Sequence, residues 1–476
     1  MTGQLHHLTA VQQLDALRSG EVGAVELTQH YLRRIEEHDS SLGAYLTVSA
    51  DVALAEAEQA QRRLRTDEDP PPLLGLPVPI KDLSPTAGVR TTMGSRAFAD
   101  FVPAADSWTV GRIRTAGAVL IGKTNVPEFG PTCYTDNDLG PGPARTPYDL
   151  TRYASGSSGG AAAAVAAGLA PVAHGSDGAG SVRTPASACG LVGFKPSRGT
   201  VSLFPQTTFT SMAVEGPLAR TLEDAALLGD VMTVPPPGEL WPDPRPPGSP
   251  SLRTAVARAD PGRLRVAWWT GTGVAGLEPH PAVADAVRLQ ADRLDAAGHD
   301  VSSIDTPTVF DERVIGALVM RFAMGIGAAN LLVPEARRAL LRPLSQWFID
   351  IAARSSAVDA ARCDAVLAGF GASALAALAD FDVLLCPTAS GPPVPLGWFS
   401  EAGLDEEPRR MIGWSCGTPL ANVTGYGAIS LPLAWTEEGL PLGVQLAMPP
   451  GRDHELFAVA AQLFDDAAPR PVPPMF

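Results

Sequence analysis

Short apolar runs separated by stretches of helical periodicity set the strongest limit on how this chain can fold. "LPVPIKD" (76–82), "AVLIGKT" (118–124), "LRVAWWT" (264–270), "HDVSSID" (299–305) and "FDVLLCPT" (381–388) are each long enough for one strand. Between and around them, "VALAEAEQAQRRL" (52–64), "AAAAVAAGL" (161–169), "PAVADAVRLQADRLDAAG" (281–298) and "HELFAVAAQLFDDA" (454–467) read as helices, Pro281 opening the third and Gly298 closing it. Strands alternating with helices predict an α/β fold: a mixed, largely parallel sheet covered on both faces by helices. "LRVAWWT", its helix and "HDVSSID" make one βαβ unit. "AISLPLAW" (428–435) and "GLPLGVQLA" (439–447) add late strands.

Leu27, Tyr31 and Ile35 recur at helical spacing, so residues 1–68 predict a helical flange packed on the core. A proline-rich segment, Val234 to Pro250, is either a linker or a surface loop, extending to about 262. Residues 308–378 predict helices, with Met320, Phe322, Met324, Trp347 and Phe348 free to line a pocket, although packing suits most of them better. The 47 glycines and 45 prolines, with only 18% charged residues, describe a loop-rich globular enzyme. A net charge of −15 argues against a nucleic-acid or anionic-membrane partner. Cys133, Cys189, Cys363, Cys386 and Cys416 are odd in number and widely spaced, which predicts reduced thiols and no metal site. "MTGQLHHLTAVQQLDALRSG" has no apolar leader, and no run of 18 apolar residues occurs, so a cytoplasmic protein is expected.

Three motifs compete for the chemistry. "GAVLIGKT" (117–124) matches the phosphate-loop expression, but Ala118, Val119, Leu120 and Ile121 suit a buried strand, leaving Lys123 a structural lysine. "GSSGG" (156–160) matches the nucleophile elbow and nominates Ser158, with Asp382 and His454 in the right order. No apolar strand runs directly into this elbow, since "RTPYDLTRYA" precedes it. The third is a spaced set. Lys81 ends an apolar strand, where burial would lower its pKa toward that of a useful base. Ser157 lies in a tight Gly-Ser-Ser-Gly turn, and Ser181 follows "DGAG", whose small residues let backbone N–H groups converge on one point.

The block "ASGSSGGAAAAVAAGLAPVAHGSDGAGSVRTPASACGLVGFKPSRGTVS" (154–202) resembles the defining segment of the amidase signature family. The likeness extends to "LPVPIKDLSPTAGVRTTMGSRAF", "AGAVLIGKTNVPEFG", "TPLANVTGYGAISLPL" and "GLPLGVQLA". It implies the amidase-signature fold as one domain over 1–476, with the signature core at about 73–232 and a helical substrate-pocket region at about 308–378. It also implies a serine amidohydrolase without cofactor, with Ser181 as nucleophile, Ser157 as bridging serine after a cis peptide, and Lys81 as base. Ser157 and Ser181 stand 24 residues apart, the family's usual spacing. Backbone N–H groups of Gly178, Ala179, Gly180 and Ser181 would form the oxyanion hole, with Ser158, Asp177 and Arg183 as supports.

Departures from the family pattern are Ser155 and Ala161 beside the bridging serine, Ala179 where the oxyanion loop usually has glycine, and Gly427 where proline is usual. Ala179 then requires a backbone conformation acceptable to a residue with a Cβ. The resemblance implies a small-molecule amide or carbamate substrate and a monomer or homodimer. Three alternatives remain: the glutamine-hydrolysing A subunit of a tRNA-dependent amidotransferase, an α/β-hydrolase esterase using Ser158, and an inactive binding subunit. A lysine base that must be neutral predicts activity rising toward alkaline pH.

Overall fold

A computed structural model describes residues 5–476 except 141, 205–211, 237, 240, 308–310, 467 and 469. Parts of the expected proline-rich loop (237 and 240) and of the expected helical region (308–310) therefore lie outside the described residues.

Eleven strands form two sheets among the described residues. They are β1 (Tyr45–Val48), β2 (Pro77–Lys81), β3 (Val119–Thr124), β4 (Val172–Asp177), β5 (Val192–Lys195), β6 (Val214–Ala219), β7 (Arg265–Trp268), β8 (Asp300–Ser303), β9 (Val383–Pro387), β10 (Gly427–Trp435) and β11 (Pro441–Met448). The small sheet runs β1-β3-β2 and the large one β4-β6-β5-β10-β11-β9-β7-β8. "GAVLIGKT" contributes β3 and is no phosphate loop. Lys123 is buried and donates to Ser84 O, Thr86 Oγ1 and Thr91 Oγ1 at 2.5, 2.8 and 2.9 Å, the structural role expected of it.

The sheets are mixed and carry helices, as expected, but the expectation of a largely parallel sheet needs correction. Only β7 with β8, β7 with β9, and β2 with β3 pair in parallel. The helix Pro281–Ala296 supplies the crossover between β7 and β8, which makes that pair parallel. Five residues separate β10 from β11, and so short a turn can only reverse the chain. Within the helical flange, "YLTV" is strand β1, antiparallel to β3, rather than helix. Leu27, Tyr31 and Ile35 do share the buried face of the helix Ala24–Leu42.

Alternation along β11 separates two layers. Val444, Leu446 and Met448 join the main apolar core with Leu456 and Phe457 of the helix Asp453–Leu463. Gln445 and Gly443 point the other way, toward Arg183 and Ser187 of the short helix Arg183–Ala188. The proline-rich segment lies against the body: the Arg198 guanidinium sits 5.3 Å from the centre of the Trp241 ring. It ends sooner than expected, because Ser251 caps a helix, Leu252–Arg258, in the proline-free "LRTAVAR". Three helices, Glu312–Asn330, Pro343–Arg354 and Ala357–Ala377, account for most of the expected helical region. The last is, by length and composition, long and apolar enough to cross a membrane, and it carries Asp359, Arg362 and Asp364 in its first half.

Candidate active site

Every residue of β2 is buried, and its last one, Lys81, is fully so. Its Nζ lies 2.8 Å from Ser157 Oγ and donates to Ser176 O at 3.0 Å. Burial pulls the Lys81 pKa down to about 7, against the opposing pull of Asp177 and Glu215. A neutral amine near pH 7, with one N–H held by Ser176 O, can turn its lone pair to Ser157.

Ser157 sits in the turn before the helix Gly159–Ala166, after a cis Gly156–Ser157 peptide bond. A Cβ at Gly156 would come within 2.5 to 2.7 Å of the Tyr134 backbone, so only glycine lets the two segments approach this closely. Ser158 is buried behind them. Its Oγ donates to Ser176 O and its N–H to Ser181 O, both at 3.2 Å. The two partners required by the elbow reading lie elsewhere. Asp382 accepts from Arg265 and Arg452, and His454 stands 3.9 Å from Glu455 on the helix Asp453–Leu463. Ser158 thus ties the turn to β4 and to the Ser181 segment.

β4 ends on Asp177, whose carboxylate organises the loop that follows. Its Oδ1 accepts from Gly180 N (2.7 Å), Arg183 Nη2 (2.8 Å) and Asn422 Nδ2 (2.9 Å); its Oδ2 accepts from Val182 N (3.1 Å) and Arg183 Nε (3.0 Å). Burial alone would raise the carboxyl pKa, but the Arg183 guanidinium holds it well below the usual carboxylate range. Arg183 is itself fully buried, and Nη1 donates to Thr418 O and Gln445 Oε1 while Nη2 also reaches Asn422 Oδ1. Each of its five N–H groups therefore has an acceptor. Thr418 closes the clasp by donating to Ala179 O at 2.7 Å. Sequence reasoning missed Thr418, Asn422 and Gln445 as parts of the site; their one signal was polar residues inside the late segments "TPLANVTGYG" and "GLPLGVQLA".

Of the four N–H groups expected to form an oxyanion hole, one is engaged elsewhere. Gly180 N–H is committed to Asp177, while no hydrogen bond among the described residues takes the N–H of Gly178, Ala179 or Ser181. Gly180 has φ +128°, and a Cβ there would collide with the Thr418 side chain, so this is where the loop needs glycine. Ala179 avoids positive φ and fits without strain. The departure that does carry strain is Ser155, at φ 65°, its hydroxyl donating to Cys133 O at 2.9 Å.

Ser181, Ala179 and Gly180 form one wall of a cavity, with Thr132 and Cys133 beside them and Phe322 and Phe348 among the opposing residues. No charged side chain lines it among the described residues. Of the five aromatic and methionine residues singled out in the helical region, Phe322 and Phe348 face this cavity. Trp347 packs against Phe348, and Met320 accepts from Ser355.

The Amidase family profile matches residues 26–457. The chain belongs to the amidase signature family. An acylamidase of Rhodococcus erythropolis is 33% identical over 97% of this chain and 96% of its own length. The solved structure of 6-aminohexanoate cyclic dimer hydrolase with its substrate superposes with a TM-score of 0.90 at 30% identity, covering 99% of each chain. A bacterial aryl acylamidase of the amidase signature family gives 0.88 at 26% identity, covering 97% of each. This member of the family is an amidohydrolase, cleaving carboxamide C–N bonds with water.

Proposed function

We propose that Ser181 is the nucleophile, Ser157 the proton bridge and Lys81 the base of this amidase, and that its substrates present an apolar acyl group. The observation that carries the reading is the fully buried Lys81 amine 2.8 Å from Ser157 Oγ, beside a cavity walled by Ser181. As Ser181 Oγ bonds to the carbonyl carbon, its proton passes to Ser157 and the Ser157 proton to Lys81 Nζ. The oxyanion so formed receives hydrogen bonds from the N–H groups of Gly178, Ala179 and Ser181, which have no acceptor among the described residues. When the C–N bond breaks, Ser157 gives the leaving nitrogen a proton and recovers one from Lys81. Water then attacks the acyl-serine by the same route in reverse, releasing the carboxylate. Esters and carbamates present the same carbonyl and fall within this chemistry.

The lining of the cavity supports the choice of substrate. Leu318, Val319, Phe322, Phe348, Met411 and Ile412 offer an apolar surface and no ionic partner. Free glutamine carries two charges that such a wall leaves unpaired, which disfavours the amidotransferase-subunit reading. Five unpaired cysteines fit a reducing compartment, and we place the enzyme in the cytoplasm. A serine-reactive phosphonate probe with peptide mapping tests the assignment. Label is expected on Ser181 and lost in Ser181→Ala; label on Ser158 would revive the esterase reading. A panel of anilides, alkyl amides, esters and carbamates is expected to favour apolar over charged acyl groups.

A further inference from the structure

The two sheets abut where β2 passes the edge strand β4, and one buried side chain joins them at the base. His174, on β4, accepts the Lys81 backbone N–H at Nδ1, 3.3 Å away. An imidazole nitrogen that accepts carries no proton, so the proton is on Nε2. Nε2 stands 3.3 Å from Glu215 Oε1, on the neighbouring strand β6, and both side chains are buried. The same carboxylate oxygen accepts from Ser84 Oγ at 2.5 Å, three residues beyond Lys81. Register ties the group closer still, because Glu215 pairs with Ser176, whose carbonyl accepts from Lys81 Nζ.

We infer that His174 and Glu215 are a positioning pair for the base: His174 docks the end of β2 on the large sheet, and Glu215, in close contact with its Nε2, sets the charge around Lys81. This rests on the reading of Lys81 as base. Neither residue touches the cavity, so both act through Lys81. The other charged groups around the pair are Lys81, Asp82 and Lys123 from the small sheet and its following loop, and Asp177 from the large sheet. Burial would raise the Glu215 carboxyl pKa, but His174, Ser84 and Thr109 together bring it below its ordinary value, so it is an anion at neutral pH. That anion favours the charged form of Lys81.

Three variants separate positioning from bulk stability. Glu215→Gln keeps the shape and removes the charge, so the acid limb of kcat/KM is expected to move to lower pH. His174→Asn keeps an acceptor near the position of Nδ1 and is expected to retain most of the kcat that His174→Leu loses, on the order of 10²-fold with KM little changed. Should His174→Leu fail to fold, the Glu215→Gln limb decides alone. A folded Glu215→Gln enzyme with the wild-type limb overturns the inference, as does a His174→Leu enzyme with wild-type kcat. Lys81→Ala is the control for the underlying reading. If it keeps activity and the same limb, the assignment of the base has failed rather than the positioning pair.

Discussion

Replacing Arg183 by lysine keeps the charge and most of the volume, and isolates what the guanidinium fork does. The five N–H groups of Arg183 meet five acceptors: two on Asp177 and one each on Thr418, Asn422 and Gln445. An ammonium has three, so at least two acceptors in a fully buried site lose their donor, at roughly 1–3 kcal/mol each. A loss of about 2–6 kcal/mol is expected, read as a lower urea midpoint at unchanged m-value. The Asp177 carboxylate also holds Gly180 and Val182, so the oxyanion loop should shift with it and kcat should fall about 10²-fold. Arg183→Met removes the charge as well, and an unpaired buried carboxylate costs about 3–5 kcal/mol. The pH dependence gives a sharper check. In the wild type the Asp177 pKa is depressed, so its stabilisation is present above the unfolded value of about 3.9 and lost only in strong acid. In Arg183→Met burial raises that pKa, and the variant gains stability as pH falls through the new value toward the unfolded one. The gap between the two proteins should therefore narrow at pH 5. A gap that stays constant or widens, with Arg183→Lys within 0.5 kcal/mol of wild type, as for an ordinary surface change, would refute the role given to this ion pair.

Two further outcomes follow from the site. With the Lys81 pKa near 7, kcat/KM on an anilide should climb through about pH 7 to a plateau, and full activity at pH 5 would count against a neutral-lysine base. Gly180→Ala combines a φ of +128° with a collision against Thr418, so turnover should be lost and thermal stability should drop; a fully active, equally stable variant would show that the loop is not held as described.

The strand that delivers Lys81 was legible in the sequence as a short apolar run, and both serines stand in glycine-rich turns; β4, which leads to Ser181, was not, because "VAHGSD" carries His174, Ser176 and Asp177 where an apolar run would mark a strand. Sheet direction was less so. The strand–helix alternation gave the β7–β8 crossover correctly, but the pairing partners of β4, β5 and β6 are set by tertiary packing, which no local pattern encodes. The clasp on the oxyanion loop was hidden for a similar reason. Thr418, Asn422 and Gln445 lie more than 230 residues from Arg183, and nothing near them in the chain marks them as its acceptors. Backbone conformation misled in one place: Ala179 attracted suspicion because its position usually holds glycine, whereas positive φ falls on Gly180 and Ser155.

The burial of Lys81 that fits it to be a base must also destabilise the protein, and this can be measured. Its pKa falls from 10.5 to about 7, so below pH 7 the folded state carries a desolvated ammonium and between those values it forgoes a proton that the unfolded chain keeps. Each unit is worth about 1.4 kcal/mol, which puts the cost near 5 kcal/mol at pH 7 and below. Lys81→Met removes that cost in a side chain of similar length, while leaving Ser176 O without its donor at roughly 1–3 kcal/mol. The inactive variant should therefore be more stable than wild type by about 2–4 kcal/mol at pH 7. The sign of the pH dependence is fixed. Above pH 7 the unfolded wild type binds a proton that the folded form lacks, so wild-type stability rises with pH and its deficit should shrink by about 1.4 kcal/mol per unit toward pH 10. Urea titrations of both proteins at pH 6, 7, 8 and 9 would show this convergence. Parallel curves would mean that Lys81 is a cation compensated in place, and the proton route from Ser181 through Ser157 would lose its acceptor.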